Sequence, residues 1–343
     1  MNDQFFLLRA LELAKINKGF CSPNPSVGCI ILNEEKQIIA EGYHRGAGSP
    51  HAEIEALKNI QNSKPHTMYV SLEPCCHHGK TPPCTDSIIK NNIKRVVYGF
   101  KDPNSKVNGR GDEILKEHKI TCDYLPLDEI KTFYKSYTHW QKTKMPFVTA
   151  KIAMSLNGKI SKITGEPIQI TGEVLNQKTH YHRKISDAIL TTSETILHDD
   201  PQLNARLENQ TFAKSIYILD SQLRISPKAK IFQTAKSVTI FYDRKMTPIP
   251  NIRCIPVDTN EDGLNLHQII TTIGQDGIHD LWVEAGGKCF AALHKNKLIQ
   301  KAYIYIAPLW IANGKQAFEN FQLDQQKIHW EQAGNDVFLE IHW

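Results

Sequence analysis

Apolar residues along the first hundred positions follow two rhythms. Short runs at 27–32, 38–43, 67–72 and 93–98, rich in Val, Ile and Tyr and set between Asn, Gly, Ser and Lys, read as strands. Between them, 52–60 and 85–91 carry apolar residues three and four apart and read as helices, and 1–20 reads as an amphipathic helix with Phe5, Leu8 and Leu11 on one side. This alternation suggests a helix-covered sheet of the α/β class. A polar helical stretch at 128–142 then leads through Lys142-Thr143-Lys144-Met145-Pro146 into a new strand at 147–153. We place a domain boundary there, giving domains 1–145 and 146–343. Beyond it 188–192, 215–219, 238–242, 281–284 and 302–307 read as strands, with helices between several of them. The most apolar stretch, 302–312, is broken by Pro308 and reads as a buried strand and turn. No internal repeat or low-complexity tract is visible.

Composition narrows the class. At 343 residues the chain is long enough for two domains, each with its own core. The formal charge of +5 is small for this size and evenly spread, and interleaved charges such as Lys116-Glu117-His118-Lys119 read as solvated helix faces. We therefore expect no nucleic-acid partner. Met1-Asn2-Asp3-Gln4 does not open a targeting signal, and no run of about 18 apolar residues could cross a bilayer, so we expect a cytoplasmic enzyme without a membrane partner. Eight cysteines without a secretory pattern argue for reduced thiols and metal ligation. Cys21, Cys29, Cys122, Cys254 and Cys289 read as small core or surface residues.

The chemistry of the first half concentrates in His51-Ala52-Glu53, Pro74-Cys75 and Pro82-Pro83-Cys84. One imidazole and two thiolates can hold Zn2+ with a position left for water, whose pKa falls to about 7, and a nearby carboxylate must then move its proton. His51 follows a Gly-Ser-Pro turn and opens the helical run, so Glu53 lies in its first turn near the metal. Base deaminases use this set of parts, commonly with Pro-Cys-x-x-Cys, whereas here eight residues separate Cys75 from Cys84. Cys76, His77 and His78 are rival ligands, and a closed structural zinc site built from four of these side chains is the alternative; it leaves Glu53 without a role.

Pro23-Asn24-Pro25-Ser26-Val27-Gly28, His44 with Gly48 ahead of His51-Ala52-Glu53, and the run from Glu73 through Pro82-Pro83-Cys84 together resemble the pyrimidine deaminases of riboflavin biosynthesis. The resemblance implies a cytidine-deaminase-like three-layer α/β/α domain. It also implies His51, Cys75 and Cys84 as zinc ligands, Glu53 as catalytic proton shuttle, and Asn24, His44, Lys80, Asp102 and Asn104 as substrate contacts. By composition alone, Asn24 is a loop residue in a rigid turn, and Asp102-Pro103-Asn104 is a turn ahead of an open glycine loop at 107–111. That loop is no dinucleotide fingerprint, because Ile114 stands where the third glycine is needed.

In the second half, the run Thr149 to Lys159, Asp187-Ala188-Ile189-Leu190, and the run Thr195 to Arg206 resemble the reductases of the same pathway, whose fold is like that of dihydrofolate reductase. Glu284-Ala285-Gly286-Gly287 ends a strand and opens a helix, where backbone N–H groups could meet a cofactor phosphate. Both motif sets in this order imply a bifunctional deaminase/reductase of the RibD family. Such an enzyme would deaminate 2,5-diamino-6-(5-phosphoribosylamino)pyrimidin-4(3H)-one and then use NADPH to reduce its ribosyl chain to ribityl. The resemblance implies Lys151 and Asp199 as catalytic, Arg183, Leu203, Arg206 and Glu284 as substrate-binding, and Met154, Gln169, Thr195, Asp199, Gly286 and Gly287 as cofactor-binding. Arg183 and Arg206 suit the 5'-phosphate through paired donors. It also implies a homo-oligomer acting on a small phosphorylated pyrimidine. The chain departs from the family at Asn157, commonly Asp, at Gln169, commonly Trp, and at Thr191-Thr192, commonly a pair ending in Gly. The alternatives are an RNA base deaminase with a C-terminal binding domain, a zinc-stabilised binding protein, and a deaminase whose reductase half is inactive.

Overall fold

The computed structural model describes residues 2–76, 82–104, 107–162, 168–261, 263–318 and 327–343. The chain forms two compact units, Met1–Lys144 and Met145–Trp343.

The first unit runs α1 (Asp3–Ile16), β1 (Gly28–Leu32), β2 (Ile38–Tyr43), α2 (Ala52–Lys58), β3 (Thr67–Val70), α3 (Cys84–Lys90), β4 (Arg95–Tyr98), α4 (Arg110–Glu117), β5 (Thr121–Tyr124), α5 (Asp128–Phe133) and α6 (Lys135–Thr143). Its sheet has the order β2-β1-β3-β4-β5, with β1 antiparallel to both neighbours and β3, β4 and β5 parallel. Every residue of β1 is buried, because successive side chains enter different cores. Cys29 and Ile31 pack with Ala52, Ala56, Ile88 and Leu115 of α2, α3 and α4. Ile30 and Leu32 pack with Leu7, Leu11, Ile130 and Tyr134, from α1 and the α5–α6 region. The result is three layers. Where 1–20 was expected to bury Phe5, that ring is 47% exposed, and α1 turns Phe6, Leu7, Ala10, Leu11 and Ala14 inward. The true stripe is a consecutive pair followed by small alanines, which let the helix lie close to β1. The expected single helix at 128–142 is two helices that meet at Tyr134, and its inner side carries Ile130, Tyr134 and Tyr137.

The second unit runs β6 (Phe147–Ser155), β7 (Lys159–Lys162), α7 (Glu173–Ile185), β8 (Ala188–Thr192), α8 (Ser193–Asp199), β9 (Ala205–Leu207), β10 (Gln210–Phe212), β11 (Ser215–Leu219), α9 (Ile231–Thr234), β12 (Ser237–Asp243), β13 (Arg253–Val257), β14 (Thr259–Asn260), β15 (Gly263–Leu264), α10 (Leu266–Gln275), β16 (Asp280–Glu284), α11 (Gly287–Lys295), β17 (Lys301–Ala307), β18 (Gly314–Gln316), β19 (Lys327–Ala333) and β20 (Asp336–His342). Nine strands form one sheet, ordered β13-β12-β11-β8-β16-β6-β17-β20-β19. It is parallel through β17, and the β19–β20 hairpin adds an antiparallel edge. Both faces are covered, one by Ile269, Ile273, Phe290 and Leu293 of α10 and α11, the other by a cluster that includes Leu175 of α7 and Ile196 of α8. The central strands are therefore almost continuously apolar.

Candidate active sites

In the first unit α2 supplies two of the expected groups. His51 caps the helix in an extended conformation and Glu53 lies in the first turn, 4% exposed. Gly42 of β2 lets α2 approach, because a Cβ there would stand 2.4 Å from Ala56 N and 2.5 Å from Ala52 O. Cys75 follows β3, and Cys84 opens α3, its N–H donating to Cys75 Sγ at 3.4 Å. His51 Nδ1 lies 3.3 Å from Cys84 Sγ and 3.4 Å from Cys75 Sγ, and the three donor atoms are all within 4.8 Å of one another. Tetrahedral zinc with bonds of about 2.0–2.3 Å asks for nitrogen–sulfur separations of about 3.5 Å, so the donor set fits that ion. The Cys84 thiol and the His51 imidazole pull the Cys75 thiol down while Cys75 pushes Cys84 up, so the pair readily holds one thiolate, and Cys75 in turn lifts His51 to about 9. Burial, reinforced by the Cys75 charge, raises Glu53, which suits a carboxyl that must carry a proton.

Of the rival ligands, Cys76 is not part of this three-residue group among the described residues. His77, His78 and the expected substrate contact Lys80 lie outside the described residues.

His51 and Cys75 line a cavity of about 410 Å3 whose walls also include Asn24, His44, Glu53, Asp102 and Asn104. Asn24 Nδ2 is 3.2 Å from His44 Nε2, and His44 Nδ1 is 3.0 Å from Pro50 O. Those partners fix a ring that donates through Nδ1 and accepts through Nε2, and burial lowers its pKa, keeping it neutral. Asp102 is 6% exposed; its Oδ1 accepts from Asn104 N–H at 2.9 Å and from the Tyr137 hydroxyl at 3.1 Å, and burial lifts it to about 6. Lining residues to which the sequence reading gave no role include Glu73, Tyr137, Trp140 and Gln141. That reading also treated the glycine loop as open. Instead Gly109 N–H donates to both oxygens of Glu73 at 2.9 and 3.1 Å, and Asp102 N–H reaches Glu73 Oε2 at 3.3 Å. The buried carboxylate ties the end of β3 to both loops, and its Glu-Pro-Cys context was the available signal.

In the second unit Lys151 of β6 is in register with Glu284 of β16. Arg183, in the last turn of α7, donates to both Glu284 oxygens at 2.5 and 2.8 Å and to Asn204 O at 3.1 Å, while Trp282 Nε1 also reaches Glu284 at 2.8 Å. Burial would raise Glu284, but the Arg183 charge outweighs it and holds the carboxylate at about 2. The paired donors expected to bind a phosphate are thus committed at Arg183 to Glu284. Arg206 is different: it is exposed, and its Nη1 donates to Asn204 Oδ1 at 2.7 Å and Gln202 Oε1 at 3.4 Å. The Lys151 ammonium lies 5.4 Å from the Tyr305 ring centroid; burial lowers its pKa, opposed by Glu284 and Asp199. Burial raises Asp199, at the end of α8. Leu203 is 2% exposed at φ 47°, so it can offer backbone to a ligand more readily than side chain.

The expected cofactor residues fall on neighbouring segments. Gly286 caps α11 without a side-chain bond to the helix, leaving first-turn N–H groups for an anion, and a Cβ on Gly286 would meet only Ile160 Cδ1 at 3.9 Å. Gly287 is required by packing, since its Cβ would stand 1.9 Å from Ala317 O. Thr195 lies in the first turn of α8 with its hydroxyl 3.1 Å from that of the capping Thr192, which explains one departure from the family pattern. Met154 is half-buried, whereas Gln169 is exposed and donates to Thr171 O at 3.4 Å. This donor-rich helix terminus and the hydroxyl beside α8 fit a phosphate-bearing cofactor. Asn157 accepts from Ser155 Oγ and Ile311 N–H at 2.8 and 3.2 Å and donates to Ile311 O at 2.9 Å. A carboxylate could not make the last bond.

Residues 1–100 match the family model of the cytidine and deoxycytidylate deaminase zinc-binding region, and residues 146–339 match that of the RibD C-terminal domain. The riboflavin biosynthesis protein RibD of Escherichia coli is 35% identical over 327 residues, covering 90% of this chain and 88% of that protein. The chain belongs to the RibD family. Haemophilus influenzae RibD is 37% identical over 361 residues, with 98% and 96% covered. Among solved structures, the Thermotoga maritima diaminohydroxyphosphoribosylaminopyrimidine deaminase/5-amino-6-(5-phosphoribosylamino)uracil reductase superposes with a TM-score of 0.86 at 31% identity, and Acinetobacter baumannii RibD with 0.84 at 31%, each over 99% of this chain and 98% of the other. This RibD protein is accordingly a two-domain α/β enzyme of riboflavin biosynthesis that carries out a deamination and a reduction, with Zn2+ and NADPH as its cofactors. Among its described residues no helix is long and apolar enough to cross a membrane.

Proposed function

We propose that residues 1–145 deaminate 2,5-diamino-6-(5-phosphoribosylamino)pyrimidin-4(3H)-one and residues 146–343 reduce the deaminated product, in the cytoplasm and as a homo-oligomer. The observation that carries this reading is the His51, Cys75 and Cys84 donor set with buried Glu53 beside it, His51, Cys75 and Glu53 lining a cavity. Zn2+ at that set supplies a polarised water at neutral pH. Glu53 would take one proton of that water and give it to the ring nitrogen, then carry the second, from the added oxygen, to the departing amine, so that the water oxygen becomes the ring carbonyl and ammonia leaves. Asn24, His44, Lys80, Asp102 and Asn104 orient the pyrimidine.

In the second half bound NADPH would supply the hydride that reduces C1' of the opened ribosyl imine, the nitrogen taking a proton. Lys151, whose ammonium is buried with Glu284 and Asp199 as its compensating charges, holds a proton at the reacting sugar. The Arg183–Glu284 pair shapes that wall, with Leu203 beside it, and Arg206 meets the 5'-phosphate. Met154, Gln169, Thr195, Asp199, Gly286 and Gly287 line the cofactor side.

Replacing Glu53→Gln tests the first assignment. The variant should keep stoichiometric zinc and lose ammonia release by at least about 100-fold, the usual scale for a positioned acid–base group. Ammonia release at the parental rate would remove Glu53 from the mechanism.

A further inference from the structure

Helix α6 lies outside both matched segments, which end at 100 and resume at 146, and its sequence reads as a polar connection. Its position is nevertheless fixed. Tyr134, at its start, is 1% exposed and donates to Ser26 O at 3.0 Å while its hydroxyl lies 2.7 Å from Ser71 Oγ. Ser26 directly follows the Pro23-Asn24-Pro25 turn that lines the deaminase cavity, so the helix is fastened to one wall of that cavity. One turn further on, Tyr137, Trp140 and Gln141 line the same cavity.

These side chains form a directed chain. Gln141 Nε2 donates to the Tyr137 hydroxyl at 3.1 Å, and that hydroxyl donates to Asp102 Oδ1 at 3.1 Å. With the Asn104 N–H also on Oδ1 at 2.9 Å, both described donors to this carboxylate sit on one oxygen. Oδ2 accepts no hydrogen bond from the described residues, and Asp102 lines the cavity. An ionised carboxylate is acceptor-only, so a free Oδ2 there selects ligands that present N–H donors. Trp140 lies beside Tyr137, the rings 6.4 Å apart and 24° from parallel, with the Lys144 ammonium 4.8 Å from its centroid, and presents its indole to the cavity.

We infer that α6 is part of the deaminase substrate site. Tyr137 and Gln141 are positioning residues that turn Asp102 Oδ2 toward the amino groups of the pyrimidine, and Trp140 is a wall against which the substrate packs. This rests on the deaminase reading above and adds a recognition element that the matched zinc-binding region does not contain.

The test is steady-state deamination by the full chain carrying Tyr137→Phe, which keeps the ring and removes only the hydroxyl, and separately Trp140→Ala and Trp140→Phe. Zinc content and NADPH-dependent reduction of the deaminated intermediate are measured on each protein. Tyr137→Phe should raise the KM for deamination about tenfold, the scale of one lost hydrogen bond to a charged group, with kcat nearly unchanged. Trp140→Ala should raise the KM as well, and Trp140→Phe should restore most of it. Zinc content and the reduction rate should stay parental throughout. Parental KM values in both Tyr137→Phe and Trp140→Ala would overturn the inference, and so would losses that run in parallel with zinc content or with the reduction rate, which is what a purely structural helix would give. If the parent protein itself releases no ammonia, the deaminase reading has failed and the inference falls with it.

Discussion

Asp102 shows how one side chain can make recognition depend on pH. Burial lifts its pKa to about 6, so above that it is an acceptor and below it a proton occupies the carboxyl. The KM for deamination should therefore be flat above about pH 7 and climb as pH falls through 6. A KM independent of pH from 5 to 8 would separate Asp102 from substrate binding. Lys214 is a second case, in which the effect is on stability. It is 1% exposed, donates to Lys184 O at 3.1 Å, and is lowered by burial from 10.5 to about 8. The folded chain binds this proton more weakly than the unfolded chain does, so the penalty is full below pH 8 and is relieved as pH rises toward 10.5. Relative to Lys214→Met, the parent should gain of order 3 kcal/mol across that window in denaturant titrations. A constant difference between the two proteins would contradict the assignment. Asn157 adds a third test at this scale. Asn157→Asp replaces the donor to Ile311 O by a carboxylate and should cost about 1–3 kcal/mol of stability. An unchanged melting temperature would show that the amide pair contributes nothing.

Strands were legible where Val, Ile and Leu run together or alternate with small residues between polar turns. The runs at 38–43, 188–192 and 215–219 coincide with β2, β8 and β11. What escaped had physical reasons. The helical stretch at 128–142 was read as polar and gave no site residue, because the inner side of α5 and α6 is made partly of tyrosines with polar tips. The β19–β20 hairpin is two mixed-polarity strands around Gly334, with Trp330 60% exposed, so period-two alternation gives little signal. The zinc ligands were legible because their motifs are local. The Arg183–Glu284 pair joins residues 101 positions apart and could be read only from the fold. Gly42 gives an element-scale test, because α2 carries both His51 and Glu53 and a methyl at Gly42 would strike its backbone. Gly42→Ala should cost about 1–3 kcal/mol by overpacking and weaken zinc retention against a chelator. Parental zinc retention would show that α2 can shift without disturbing its ligand.

At the scale of the whole molecule, two compact units each have their own sheet, core and candidate site. Two cofactors follow from two chemistries, since deamination exchanges an amine for oxygen without a redox change while reduction of the sugar needs hydride. Removing zinc from the full chain with a chelator should therefore abolish ammonia release and leave NADPH oxidation on the deaminated intermediate intact; loss of both would mean that the metal supports more than the first site. The central claim, that one chain performs both steps in order, is tested most directly by mass spectrometry of the products formed from the diaminopyrimidinone ribosyl phosphate by zinc-loaded protein with and without NADPH. The account predicts the deaminated ribosyl compound without NADPH and the deaminated ribityl compound only with it. Deamination without any NADPH-dependent reduction, or no conversion at all, would contradict it.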